Sequence, residues 1–183
     1  PMLERFITLR KDEAMAQADL TLEAAYYFLG ESYVELGQPA QGASALEAAL
    51  AISPTDADAL FQLGRAYQHQ GQPLAALEQY HRAVRFVPDF GEVYTGMADC
   101  YSALGWDAHR EYARAMQAFA RGDYKKAELY LEEATGELSD FSPAYVGLAL
   151  TYEQRQRLAK ARKAAERALE LEPGDFLAQT VLA

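Results

Sequence analysis

Tyr26-Tyr27-Phe28-Leu29-Gly30-Glu31-Ser32-Tyr33 returns 34 residues later as Leu60-Phe61-Gln62-Leu63-Gly64-Arg65-Ala66-Tyr67. Gly37 then matches Gly71, Leu46 matches Tyr80, Ala49 matches Ala83, and Pro54 matches Pro88. The register recurs at Tyr94, Met97-Ala98, Tyr101 and Gly105, and again at Tyr145, Leu148-Ala149, Tyr152, Ala161, Ala168 and Pro173. Gly122-Asp123-Tyr124-Lys125-Lys126-Ala127, with Leu131 and Ala134, adds a further second half. Tyr26, Leu29, Gly30 and Tyr33 fall at i, i+3, i+4 and i+7, one stripe of a helix. A small residue inside that stripe (Gly30, Gly64, Ala98, Ala149) clears room for a neighbouring helix to come close. Ala76, Tyr80 and Ala83 make the facing stripe, a large side chain between small ones. Gly37, Gly71 and Gly122 suit the left-handed residue that ends a helix, and Pro54, Pro88 and Pro173 stop the next one.

A unit of two helices repeated at this period leaves an apolar face that only stacking can cover. Over residues 23–175 the pattern resembles the tetratricopeptide repeat. The resemblance implies an all-α chain of helix-turn-helix repeats in a right-handed superhelical solenoid, and the Ala-, Leu-, Glu- and Arg-rich composition suggests a bacterial source. Ankyrin and leucine-rich repeats are excluded, the first by the missing Thr-Pro-Leu-His run, the second by the period. Within the core stripe Leu63 and Tyr67 should pack between repeats, while Gln62 should lie at the surface.

The period breaks once. Copies start at residues 23, 57, 91, 108 and 142, so the intervals are 34, 34, 17 and 34. The segment 107–121 is helical in composition but fits neither half of a repeat well. As a first helix it puts Arg114 and Ala118 in large apolar places. As a second helix it puts Arg110, Arg114 and Gln117 where small or apolar residues belong. The expected organisation is an N-terminal helical segment at 1–22, a first array at 23–104, an irregular connecting helix at 105–122, a second array at 123–175 and a truncated or capping helix at 176–183. Tyr94, Met97, Ala98 and Tyr101 should then form an apolar face without its partner helix. Either the arrays 23–104 and 108–175 should meet there at an abnormal angle, or another chain should cover that face, as a homodimer through the 91–121 region would. Trp106 should anchor the irregular segment.

Composition narrows the function. Net charge is −10, which disfavours nucleic acid and anionic membranes and favours a basic or neutral partner. No apolar run is long enough to span a bilayer. Cys100, the single cysteine, excludes an internal disulfide and reads as a small buried thiol. His69, His81 and His109 show no paired metal-ligand spacing, and neither a phosphate loop nor a nucleophile elbow occurs. No metal, no cofactor and no catalysis are expected. Pro1 to Ile7 lack the basic leader and apolar run of a secretory signal, so the cytoplasm is the expected compartment. A signal upstream would move the protein out of it.

The resemblance implies a protein or extended-peptide ligand in the concave groove lined by first helices. The candidates are Tyr27, Glu31 and Val34 in the first copy, Asp58, Phe61, Arg65, Gln68 and His69 in the second, and Glu92, Thr95, Asp99 and Ser102 in the third. Val146, Leu150 and Glu153 hold the matching places in the last. Aromatic rings among carboxylates suit a ligand with basic and apolar side chains. The chaperone-adaptor subfamily holds a terminal carboxylate with lysines, arginines and asparagines. This chain contains no asparagine and places Tyr27, Glu31 and Asp58 there. Two other readings stand beside the freestanding adaptor: a repeat domain cut from a larger enzyme or sensor, and an envelope or pilus assembly factor.

Overall fold

The computed structural model describes residues 2–11 and 20–183. Eleven helices are found among them, and no strand: α1 (Met2–Lys11), α2 (Leu20–Glu35), α3 (Pro39–Ile52), α4 (Ala57–His69), α5 (Pro73–Phe86), α6 (Gly91–Leu104), α7 (Asp107–Ala120), α8 (Tyr124–Glu137), α9 (Ser142–Gln154), α10 (Leu158–Leu171) and α11 (Phe176–Leu182). They form two compact units, residues 1–87 and 88–183.

Local chemistry sets the helix ends. Pro39 and Pro73 open α3 and α5, where no intrahelical N–H is needed. Asp56 caps α4 by accepting from the N–H groups of Asp58 and Ala59 at 2.9 and 3.1 Å. Gly37, Gly71, Gly105 and Gly122 follow α2, α4, α6 and α7 with φ between 70° and 77°, the left-handed stop expected of a first helix. At the same place after α9 stands Gln156, with φ 59°.

In the first unit, α2 pairs with α3 and α4 with α5. A Cβ on Gly30 would strike Leu46, and one on Gly64 would strike the ring of Tyr80. Each first helix thus meets its second helix at a residue 16 positions on. The preceding helix is tied on by a recurring bond: Tyr33 donates its hydroxyl to Glu4 on α1, and Tyr67 donates to Glu47 on α3 at 2.7 Å. That bond, with partial burial, pushes the Tyr67 hydroxyl up to about 12. Ile7, Leu22, Ala25, Tyr26 and Ala49 close the core at the α1 end.

In the second unit the same rule locates the irregularity. Sixteen positions after Ala115 stands Leu131, fully buried, and after Ala149 stands Ala165, also buried. So α7 keeps the register of a first helix toward α8, as α9 does toward α10, while packing as extensively on α6. Sixteen positions after Ala98 stands Arg114, which is exposed, and Ala98 itself is only half-buried. α6 and α7 are therefore two first-type helices in succession, the 17-residue interval made visible. By its contacts α6 belongs with α7–α11, whereas the sequence reading placed it at the end of the first array.

One expectation is overturned outright. The face of α6 is not bare in a single chain, because Tyr94, Met97 and Tyr101 are buried. α7 covers them: Tyr94 meets Tyr112 edge-on at 6.4 Å, and Tyr101 packs on His109 at 5.3 Å. Trp106 stacks on Tyr101 at 6.2 Å, the anchoring role expected of it. The reason for expecting a homodimer through 91–121 goes with that face. Cys100 is buried as expected, and burial pushes its thiol up to about 11.

Candidate peptide-binding surface

Side by side in the first unit, α2 and α4 present a run of aromatic and carboxylate side chains. Tyr27 is half-buried and meets exposed Phe28 edge-on at 5.2 Å. Glu31 accepts a hydrogen bond from Gln62 Nε2 at 2.9 Å, which ties the two helices together. Gln62 Oε1 accepts in turn from Arg65 at 2.9 Å. The Arg65 guanidinium lies over the Phe61 ring, 5.9 Å from its centre. Asp58 is exposed one turn before Phe61, beside the capping Asp56.

The electrostatics of this surface lean one way. From Asp12 to Gly64 the chain carries nine carboxylates and no lysine or arginine. Burial, and then the nearby Asp56 carboxyl, push the Glu23 carboxyl above its ordinary value. Burial, with the carboxylates of Glu31, Asp58 and Asp56, likewise raises the Tyr27 hydroxyl, against the hydrogen bond from Gln62. A cation placed among these groups would relieve their mutual repulsion.

Tyr27, Glu31, Asp58, Phe61 and Arg65 are brought together by the packing of α2 on α4. Val34 and Gln68 are not part of that surface. Val34 is buried against α3, where it touches the site a Cβ on Gly42 would take. Gln68 accepts from the Tyr80 hydroxyl on α5 at 2.8 Å. Both occupy one register position, and that position faces the second helix of its own pair. His69 is exposed at the last residue of α4. Glu92, Thr95 and Asp99 are exposed on α6, in the second unit. Of the places in the last copy, Val146 is buried, Leu150 half-buried and Glu153 exposed.

Sequence reasoning missed Gln62 and Glu23. Gln62 is buried, at 6% exposure, against the expectation that it lies at the surface. Among the described residues no group of three or more His, Cys, Asp or Glu side chains could hold a metal ion. No helix among them is long and apolar enough to cross a membrane.

Solved structures similar to this chain include MamA, 23% identical over 93% of this chain and 89% of that one, with a TM-score of 0.48. TTC0263, a thermophilic TPR protein of Thermus thermophilus, is 24% identical over 87% of this chain and 98% of its own, with a TM-score of 0.44. YrrB, a TPR protein described as having an unusual peptide-binding site, is 14% identical over 100% and 98%, with a TM-score of 0.47. The tetratricopeptide repeat family model matches residues 33–100 and 118–183, most of the chain. With helix pairs that repeat at 34 residues on either side of one 17-residue interval, the chain belongs to the tetratricopeptide repeat family.

Proposed function

We propose that this chain is a cytoplasmic protein-interaction adaptor that holds an extended peptide with basic and apolar side chains on the α2–α4 surface, without catalysis. The observation that carries the reading is the meeting of Tyr27 with Glu31, Asp56 and Asp58, with Phe28 against Tyr27 and Phe61 one turn after Asp58, in a stretch that has no cation before Arg65. The rings supply apolar contact and the carboxylates a counter-charge for lysine or arginine. Gln62 and Glu31 fix the spacing of the two helices, so the surface is formed before a ligand arrives.

An array of short peptides of varied charge, probed with the whole chain, tests this. Basic peptides with an aromatic or aliphatic neighbour should be retained, and Tyr27→Ala with Phe61→Ala should abolish retention while leaving helicity intact. Retention of acidic peptides alone, or indifference to both substitutions, would refute it. Binding should weaken as salt is added.

A further inference from the structure

Two junctions show how a first helix carries the second helix that precedes it. On α4 the stripe Ala59, Leu63, Ala66 is buried, and Gln70 at its end donates to the Pro39 carbonyl of α3 at 3.2 Å. On α9 the matching stripe is Ala144, Leu148 and Thr151, all buried, ending in Arg155. α8 lies along it: Tyr152 donates to Glu132 at 2.6 Å, and Arg155 pairs with the buried carboxylate of Glu128. Small or apolar residues at i, i+4 and i+7 are what a packed helix requires there.

On α7 the same register reads Arg110, Arg114, Gln117, Arg121. None of the four is buried. α6 approaches α7 on a neighbouring side, through His109, Tyr112 and Ala120, and reaches the edge of the stripe at Gln117, which donates to Thr95 at 3.4 Å. Among the described residues of this unit, no second helix precedes α7. Beside the stripe runs a cleft of about 320 Å³, walled by Glu111, Arg114, Gln117 and Arg121 on one side, Lys126 and Tyr130 of α8 on the other, and Asp123 between them.

The charges of the stripe indicate what would sit on it. Arg110 pairs with Asp107 at 2.8 Å, and Arg114 with Glu111 at 2.8 Å. Arg121 has no carboxylate partner among the described residues, although its counterpart Arg155 has Glu128. The Lys126 ammonium lies over the ring of Tyr130, 5.6 Å from its centre. Asp107, Glu111 and Asp123 are interleaved with these cations, which suits spaced carboxylates and disfavours a continuous polyanion such as nucleic acid.

We propose that the Arg110–Arg114–Gln117–Arg121 stripe of α7 seats an acidic helix of a partner protein, laid where a second helix lies on α4 and α9. A glutamate of that helix meets Arg121 as Glu128 meets Arg155, and another meets Arg114. The seat is separate from the α2–α4 surface, so the chain holds two ligands of opposite charge, a basic peptide in its first unit and an acidic helix in its second.

A fluorescent peptide of residues 124–137, the helix that fills the equivalent seat on α9, is the probe. Anisotropy with the whole chain should report binding that weakens about tenfold or more when Arg114→Glu and Arg121→Glu are combined. A peptide carrying Glu128→Arg should bind the reversed chain better than the original. Tyr27→Ala with Phe61→Ala should leave this binding unchanged, which separates it from the first surface. Circular dichroism should show both variants folded. Binding that is absent, or indifferent to reversal at Arg114 and Arg121, overturns the proposal. So does binding lost with the Tyr27 and Phe61 changes. If the chain alone sediments as a dimer that the Arg114 and Arg121 changes dissolve, the seat belongs to a second copy, and the foreign partner is refuted.

Discussion

At the scale of single residues, the small-to-large contact is the decisive feature. Leu63 is buried between α4 and its neighbours, so Leu63→Ala should cost about 2–5 kcal/mol in a denaturant melt. Gly64→Ala pushes a methyl group into the Tyr80 ring and should cost about 1–3 kcal/mol through overpacking. Gln62→Ala removes the bond to Glu31 and should cost about 1 kcal/mol. A neutral result at all three positions would mean that the register is wrong. The glycines were legible in the sequence because a small residue recurs at one phase of a helix. Gln62 was not, because its burial depends on α2 lying alongside α4, and periodicity read along one helix does not show the neighbour. Val34 and Gln68 misled for a related reason. They continue the groove stripe by one more turn, where the helix surface has already rotated toward its own second helix.

At the scale of elements, the turn between α9 and α10 concentrates several effects. Gln156 holds a left-handed conformation where the other first helices end in glycine. Gln156→Gly should therefore stabilise the chain by up to about 1 kcal/mol, less the entropy that glycine adds to the unfolded state. Glu128 is buried beneath this turn and pairs with Arg155 and Arg157. Glu128→Ala should destabilise by about 2 kcal/mol, less than a fully buried pair would, because both arginines reach water. His109 packs among Tyr101, Trp106 and Phe141, and burial lowers its pKa against the opposing pull of Asp140. A histidine held neutral in the fold contributes stability above its unfolded value, which is lost as pH falls through about 6.5 and below. Between about pH 7 and pH 5 the native chain should lose more melting temperature than a His109→Gln variant. Equal losses would remove His109 from the explanation.

The whole molecule is two compact units, and the 17-residue interval lies inside the second. Sequence spacing revealed that one helix too few separates copies three and four, because the count of residues between matching positions needs no structure. It did not reveal which neighbour α6 would choose. That choice rests on Tyr94 and Tyr101 finding Tyr112, His109 and Trp106, aromatic contacts of the kind any periodic stripe could make. Nor did the alignment expose the charge division between an acidic stretch ending at Gly64 and an arginine stripe on α7, since the register was defined by apolar and small positions. The two-ligand account depends first on the α2–α4 surface. The most direct test is a chemical-shift map of the whole chain titrated with a short peptide of arginine and leucine. The account predicts that shifts concentrate at Tyr27, Glu31, Asp58, Phe61 and Arg65 and fade with added salt. Shifts confined to α9 and α10, or none at all, would contradict it.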